Sequence, residues 1–230
     1  MALGGGMAPP LPVTPGTLTI MIDTARVQRR YRILARFYDL LAGGHTAHAR
    51  RQAVASMTPR LGDAVLDLGC GTGLSLPLLV DAVGPDGRVV GVELSPEMLS
   101  RARQKVAAAD WQTVALVQAN AEELELGEKF DGILAFYTHD IMTSPIAVER
   151  AVAHLKPGGR FAASGVKLAT GWRSPLNAVT MAYSWPAVTN WDREAARRPW
   201  THLERLLGPL EVKQRLLGTA YLALGTKSTS

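Results

Sequence analysis

Residues 65–73 read VLDLGCGTG, an apolar run carrying one acid, Asp67, followed by glycines at 69, 71 and 73. An apolar run that breaks into glycines reads as a strand ending in a loop whose backbone can approach a ligand closely. Such loops usually receive phosphate, yet a carboxylate beside phosphate sets like charges together. The dinucleotide fingerprint G-x-G-x-x-G also fails, because counting from Gly69 and Gly71 its third glycine would stand where Leu74 is. A cationic ligand that carries a nucleoside but no phosphate resolves both conflicts.

Outward from that stretch, short β-branched runs alternate with helical patterns, which predicts βαβ units and a parallel sheet. Strands are expected at 64–70, 88–94, 113–119, 130–137 and 160–166. Helices are expected over 73–83, from Pro96 behind a Ser95 cap, and from Ser144-Pro145 to near Leu155. Segments 210–217 and 219–227, joined at Gly218, read as a closing antiparallel hairpin. The expected fold is therefore α/β: a Rossmann-like, seven-stranded, mostly parallel sheet with a C-terminal antiparallel hairpin. An apolar helix at 29–43 is expected to cap its open end, and residues 168–200, which hold Trp172, Trp185, Trp191 and Trp200, read as a lid insertion. The division is a flexible tail at 1–22 and one domain at 23–230. That domain comprises an N-terminal cap (23–60), a cofactor-binding core (61–166), a lid (167–205) and the hairpin (206–230).

Composition narrows the setting. The chain has 230 residues, a single cysteine and a net charge of +5. No intrachain disulfide is possible, no Cys/His cluster has zinc spacing, and His45 with His48 lacks a third ligand, so no metal is expected. The tail has no basic signal-peptide region, and no apolar run reaches the roughly 18 residues that span a bilayer, so the expected place is the cytoplasm or the periphery of a membrane. Residues 1–60 hold 8 basic and 2 acidic side chains, residues 61–166 hold 8 and 14, and residues 167–230 hold 9 and 4. An acidic centre between basic ends suits a cation in the middle and an anionic surface at the flanks.

DLGCGTG resembles the glycine loop of the class I S-adenosylmethionine-dependent methyltransferases, and the resemblance continues in order along the chain. It implies S-adenosyl-L-methionine as cofactor, with Asp67, Gly69, Gly71 and Gly73 around it. Glu93 in GVELSPEML matches the family's ribose-binding acid, and Leu94 or Met98 its apolar contact with adenine. Asn120 and Ala121 in QANAEEL stand where the family commonly has Asp-Ala reading the adenine. HLKPGGRF resembles the family's turn into the fifth strand. Phe136 and Tyr137 end the fourth strand and complete the expected cofactor set.

The segment RRYRILARFYDLL before the loop resembles the quinone-biosynthesis and phosphatidylethanolamine N-methyltransferase branch, in which Tyr31, Tyr38 and Asp39 would match a pattern capping the cofactor. That branch implies a small, mostly apolar acceptor such as a lipid or quinone, and the basic flanks suit peripheral contact with an anionic membrane. A secondary metabolite accepting on oxygen or nitrogen is the competing acceptor. A nucleotide-binding oxidoreductase and a non-catalytic cofactor-binding protein are the competing classes. FYTHDI lacks the Asn-Pro-Pro-Tyr type signature of nucleic-acid amine methylation, so nucleic acid is not expected as partner. His139 is the candidate general base and Asp140 its alternate. Monomer and homodimer are both compatible with the sequence.

Overall fold

A computed structural model describes residues 38–184 and 192–229. Seven strands form one sheet: β1 (Ala64–Leu68), β2 (Arg88–Glu93), β3 (Val114–Gln118), β4 (Phe130–Phe136), β5 (Leu155–Val166), β6 (Glu211–Arg215) and β7 (Ala220–Thr226). Their order across the sheet is β3-β2-β1-β4-β5-β7-β6. β1 to β5 run parallel, and β7 enters antiparallel between β5 and β6. The order reverses between β1 and β4, so the crevice for a ligand opens above the carboxyl ends of these two strands.

Both faces of the sheet are covered, which is why β1, β2 and β4 are nearly continuous in apolar residues rather than alternating. Flanking helices are α1 (Tyr38–Ser56), α2 (Leu76–Val83), α3 (Pro96–Ala108), α4 (His139–Met142), α5 (Pro145–Ala153), α6 (Asn177–Ser184), α7 (Arg193–Arg197) and α8 (Thr201–Leu207). On one face Leu66, Leu68, Ile133 and Phe161 pack with α5, Trp200 and Leu203. On the other, Val65, Val89 and Leu134 pack with Ala53, Val54 and Met57 at the end of α1 and with Leu76 and Leu79 of α2. Two serine-proline starts behave alike: Ser95 Oγ accepts the Met98 N–H at 3.3 Å and Ser144 Oγ the Ala147 N–H at 3.2 Å, each supplying an orphan helix donor with an acceptor. Asp131 ties three strands, accepting the Ala64 N–H at 2.9 Å and Lys156 Nζ at 2.8 Å.

Two expectations need correction. Of the N-terminal helix expected at 29–43, residues 29–37 lie outside the described ones, and the described helix runs from Tyr38 past Gly43 and Gly44 to Ser56. Burial of Thr46, Arg50, Ala53 and Val54 along one side outweighs the poor helix propensity of the two glycines. The segment 168–200 is also not a plain loop. Its described part contains a 3-10 helix (Gly171–Leu176) and helices α6 and α7. Trp200 is core rather than lid: it is buried, and its ring centroid lies 5.0 Å from that of Tyr221 on β7. No helix among the described residues is long and apolar enough to cross a membrane.

Trp200 carries the packing of α8 against β7, so Trp200→Ala should cost about 3 to 5 kcal/mol of unfolding free energy in denaturant titration. A loss below about 1 kcal/mol would place Trp200 outside the cooperative core.

Candidate cofactor site

The glycine loop is built by packing at its ends and by open space in its middle. Gly69, Gly71 and Gly73 have φ values of 72°, 56° and 81°, a backbone region that favours glycine. The Gly69 and Cys70 N–H groups both donate to Val92 O, at 2.8 and 2.9 Å, which pins the loop to the end of β2. A Cβ on Gly69 would lie 2.4 Å from Thr138 Cγ2, and one on Gly73 2.8 Å from Leu76 Cδ1. At Gly71 nothing lies within 4 Å. The outer glycines are thus required by their neighbours, and the middle one fronts free volume.

Asp67 sits on β1 just before the loop. It is only 1% exposed, and its Oδ2 has no hydrogen-bond partner among the described residues. Burial pushes its carboxyl up to about 7; the Arg50 guanidinium works against that shift, and the charge of Glu93 adds to it. Glu93 ends β2 and braces the loop: one carboxylate oxygen accepts the Gly71 N–H at 3.0 Å and the other the Ser95 N–H at 2.8 Å. Burial raises the Glu93 carboxyl too, opposed by the N–H groups of Ser95, Gly71 and Leu94. The same two acids, after burial, hold the Cys70 thiol well above its ordinary range. Among the described residues, the charges that act on Asp67 are the Arg50 guanidinium and the opposing Glu93 carboxylate, and Lys105 Nζ reaches the loop only at Thr72 O, at 2.8 Å.

Around this corner stand the other residues singled out in the sequence. The Ala119 N–H donates to Glu93 O at 3.2 Å, which places Asn120 and Ala121 beside the end of β2. Asn120 Oδ1 accepts the Glu122 N–H at 3.1 Å and so caps a short 3-10 helix, Ala121–Glu123. Leu94 is half-buried at the rim, whereas Met98 is 1% exposed and packs inside, so Leu94 is the more accessible of the two. Beyond β4, Tyr137 has φ 60°, and its N–H donates to Ser164 O at 2.7 Å. Its ring centroid lies 4.9 Å from that of Phe136. A non-glycine residue held at positive φ at a strand's carboxyl end is a common mark of a functional site. His139 follows, buried at the start of α4, with Asp140 half-buried after it. Tyr31 and the side chain of Tyr38 lie outside the described residues, as does Trp185.

Sequence reasoning missed two members. Arg50 is buried on α1, donates to Thr46 Oγ1 at 2.8 Å, and holds its guanidinium carbon 5.0 Å from the Phe136 ring centroid. Helical spacing of Thr46, Arg50, Ala53, Val54 and Met57 would have shown that α1 continues and that Arg50 points inward. Glu122 is the second: its Oε1 accepts the buried Ser144 hydroxyl at 2.7 Å, joining the Asn120 turn to α5.

Comparisons with known proteins bear on the fold and the family. Residues 65–159 match the family described as a methyltransferase domain. The chain is 29% identical to a demethylmenaquinone methyltransferase of Symbiobacterium thermophilum, over 87% of this chain and 92% of that protein. It is 37% identical to a phosphatidylethanolamine N-methyltransferase of Cereibacter sphaeroides, over 56% of this chain and 60% of that one. Its fold is that of a SAM-dependent methyltransferase from Aquifex aeolicus, with a TM-score of 0.57 at 20% identity over 77% of this chain and 88% of the other. S-adenosylmethionine fits what the residues offer: open space at Gly71 for a nucleoside, and at Asp67 a buried carboxyl oxygen with no hydrogen-bond partner among the described residues for a cation.

The raised carboxyl of Asp67 gives two linked pH effects. In the folded chain the group keeps its proton from about pH 4 to about pH 7 while the unfolded chain has released it, so stability falls as pH rises through that window. A bound cation favours the carboxylate, so affinity for S-adenosylhomocysteine, which carries an ammonium, should rise towards pH 7 and level off above it. Calorimetric titration and thermal unfolding between pH 5 and 8 should show both slopes in the wild type and clearly shallower ones in Asp67→Asn, in which the raised Glu93 carboxyl remains. Equal slopes in the two proteins would assign the titration to another group.

Proposed function

We propose that the chain is a class I S-adenosylmethionine-dependent methyltransferase that transfers the methyl group to a small, mostly apolar acceptor of lipid or quinone type. The observation that carries the acceptor class is similarity over nearly the full length of both chains to a demethylmenaquinone methyltransferase. A phosphatidylethanolamine N-methyltransferase among the relatives supports it. The aromatic pair Phe136 and Tyr137 at the mouth of the crevice is in keeping with an apolar guest.

When bound, S-adenosylmethionine supplies a methyl group made electrophilic by its sulfonium. The rest of the reaction is positioning, which can account for much of the acceleration of an in-line displacement. In this reading the Asp67 carboxylate holds the cofactor's ammonium, and the Gly71 backbone lets the nucleoside approach. Glu93 accepts the ribose hydroxyls with lone pairs its backbone donors leave free. Leu94 lies against the adenine, and Asn120 and Ala121 read its edge. Tyr137 and His139 face the acceptor, and His139 takes the proton where the nucleophile is a hydroxyl. Asp140 stands next to it as the alternate base.

At about 100 times its dissociation constant, S-adenosylhomocysteine should raise unfolding free energy by roughly 2.7 kcal/mol, and NAD should leave it unchanged. Glu93→Ala should weaken cofactor binding by on the order of 1.5 to 3 kcal/mol while the protein stays folded. The acceptor is tested with methyl-labelled cofactor against total lipid extract and against water-soluble metabolites. Label is expected in the organic phase, and label confined to the aqueous phase would overturn the apolar acceptor.

A further inference from the structure

Among the described residues, seven large apolar side chains are exposed, and five of them, Trp172, Val179, Met181, Leu216 and Leu217, fall in two short segments. One segment, 171–184, follows β5; the other, 215–219, turns from β6 into β7. Both lie at the carboxyl edge of the parallel strands, because Val166 and Arg215, which end β5 and β6, each pair with Ala220. The segments are held at that edge by polar contacts. Asn177 exchanges two hydrogen bonds with the Ala169 backbone, at 2.7 and 3.0 Å. Lys167 donates through Nζ to Gly218 O at 3.0 Å and through its N–H to Thr219 O at 2.8 Å. Arg215 donates to Gln52 on α1.

The turn does something a solvated hairpin has no need to do. Leu216 and Leu217 both adopt positive φ, 46° and 55°, and are 71% and 64% exposed. Two leucines are thereby held in a backbone region that suits glycine or asparagine, with their side chains in water. Trp172 is 82% exposed, and the Arg173 guanidinium carbon lies 5.0 Å from its ring centroid. Arg173 and Arg215 are the only charged residues in the two segments, which contain no acid.

We propose that this rim docks the protein on an anionic lipid bilayer, with Trp172, Leu216 and Leu217 entering the interface and the exposed Arg173 facing the headgroups. Tryptophan and leucine flanked by arginine suit the boundary between acyl chains and anionic headgroups. A second copy of the chain is the poorer occupant, because a two-fold contact would bring the exposed Arg173 of each copy to one interface with no acid in the two segments to offset it. The proposal rests on the apolar-acceptor reading in one respect: the rim borders the crevice through which such an acceptor would enter.

Flotation tests it, using the full chain with vesicles of phosphatidylcholine alone and of phosphatidylcholine mixed with an equal part of phosphatidylglycerol. The wild type should float with the anionic vesicles and be released by salt. Leu216→Asn/Leu217→Asn keeps residues that tolerate positive φ and should lower the bound fraction by on the order of tenfold. Arg173→Glu should lower it as well, and both variants should bind S-adenosylhomocysteine as the wild type does. Three results would each overturn the proposal: wild type that floats with neither vesicle, variants that float as well as wild type, or a wild-type dimer in sedimentation that the double variant dissolves. Flotation requires no turnover, so a chain that floats but methylates no lipid keeps this surface and loses only the apolar acceptor.

Discussion

Asp67 is a carboxyl group removed from water near the end of the central strand, with one oxygen that meets no hydrogen-bond partner among the described residues. Burying such a charge is costly unless something cationic or hydrogen-bonding meets it. The surroundings show how the protein manages that cost. Arg50 comes from α1 with its charge directed at the site, and that requires α1 to lie over β4 and β5 rather than stand away from the sheet. The loop is held down by Val92 O and by Glu93, so its donors are spent on the scaffold and do not satisfy Asp67. A proton on Asp67 or a cation beside it is what remains. The fold thus stores an unmet electrostatic demand at the one place where the strand order reverses.

Much of this frame was legible in the sequence because it is local. The strands declare themselves as apolar runs, and the serine-proline pairs at 95–96 and 144–145 are helix starts whose capping bonds need only three residues of reach. Glycines at 69, 71 and 73 announce a close turn for the same reason. What could not be read depends on partners far apart in the chain. Arg50 meets Phe136 across 86 positions, and the Glu122–Ser144 bond joins a turn to a helix. The double glycine at 43–44 argued locally for a helix end, and only the cover given by the sheet makes α1 continue. One or two of the clustered tryptophans are expected in the core, and which one is decided by a distant partner, since Trp200 packs on Tyr221.

The charge division along the chain now has a structural meaning. The acidic excess lies in residues 61–166, which contain both Asp67 and Glu93, and the basic excess lies in the segments before and after. Arg50 from the first basic segment turns inward to the acids, while Arg173 from the last lies exposed at the rim over Trp172 and Arg215 ties the rim to Gln52 of α1. The two kinds of arginine answer different problems. An inward guanidinium offsets part of the repulsion between two buried carboxylates, and it must not offset all of it, since full neutralisation would remove the attraction for a cationic ligand. Asp67 held near 7 by burial, against the pull of Arg50, is the balance this arrangement strikes. A carboxyl poised there gives up its proton more readily beside a cation, so the burial of Asp67 links the pH dependence of the fold to the charge of whatever enters the crevice.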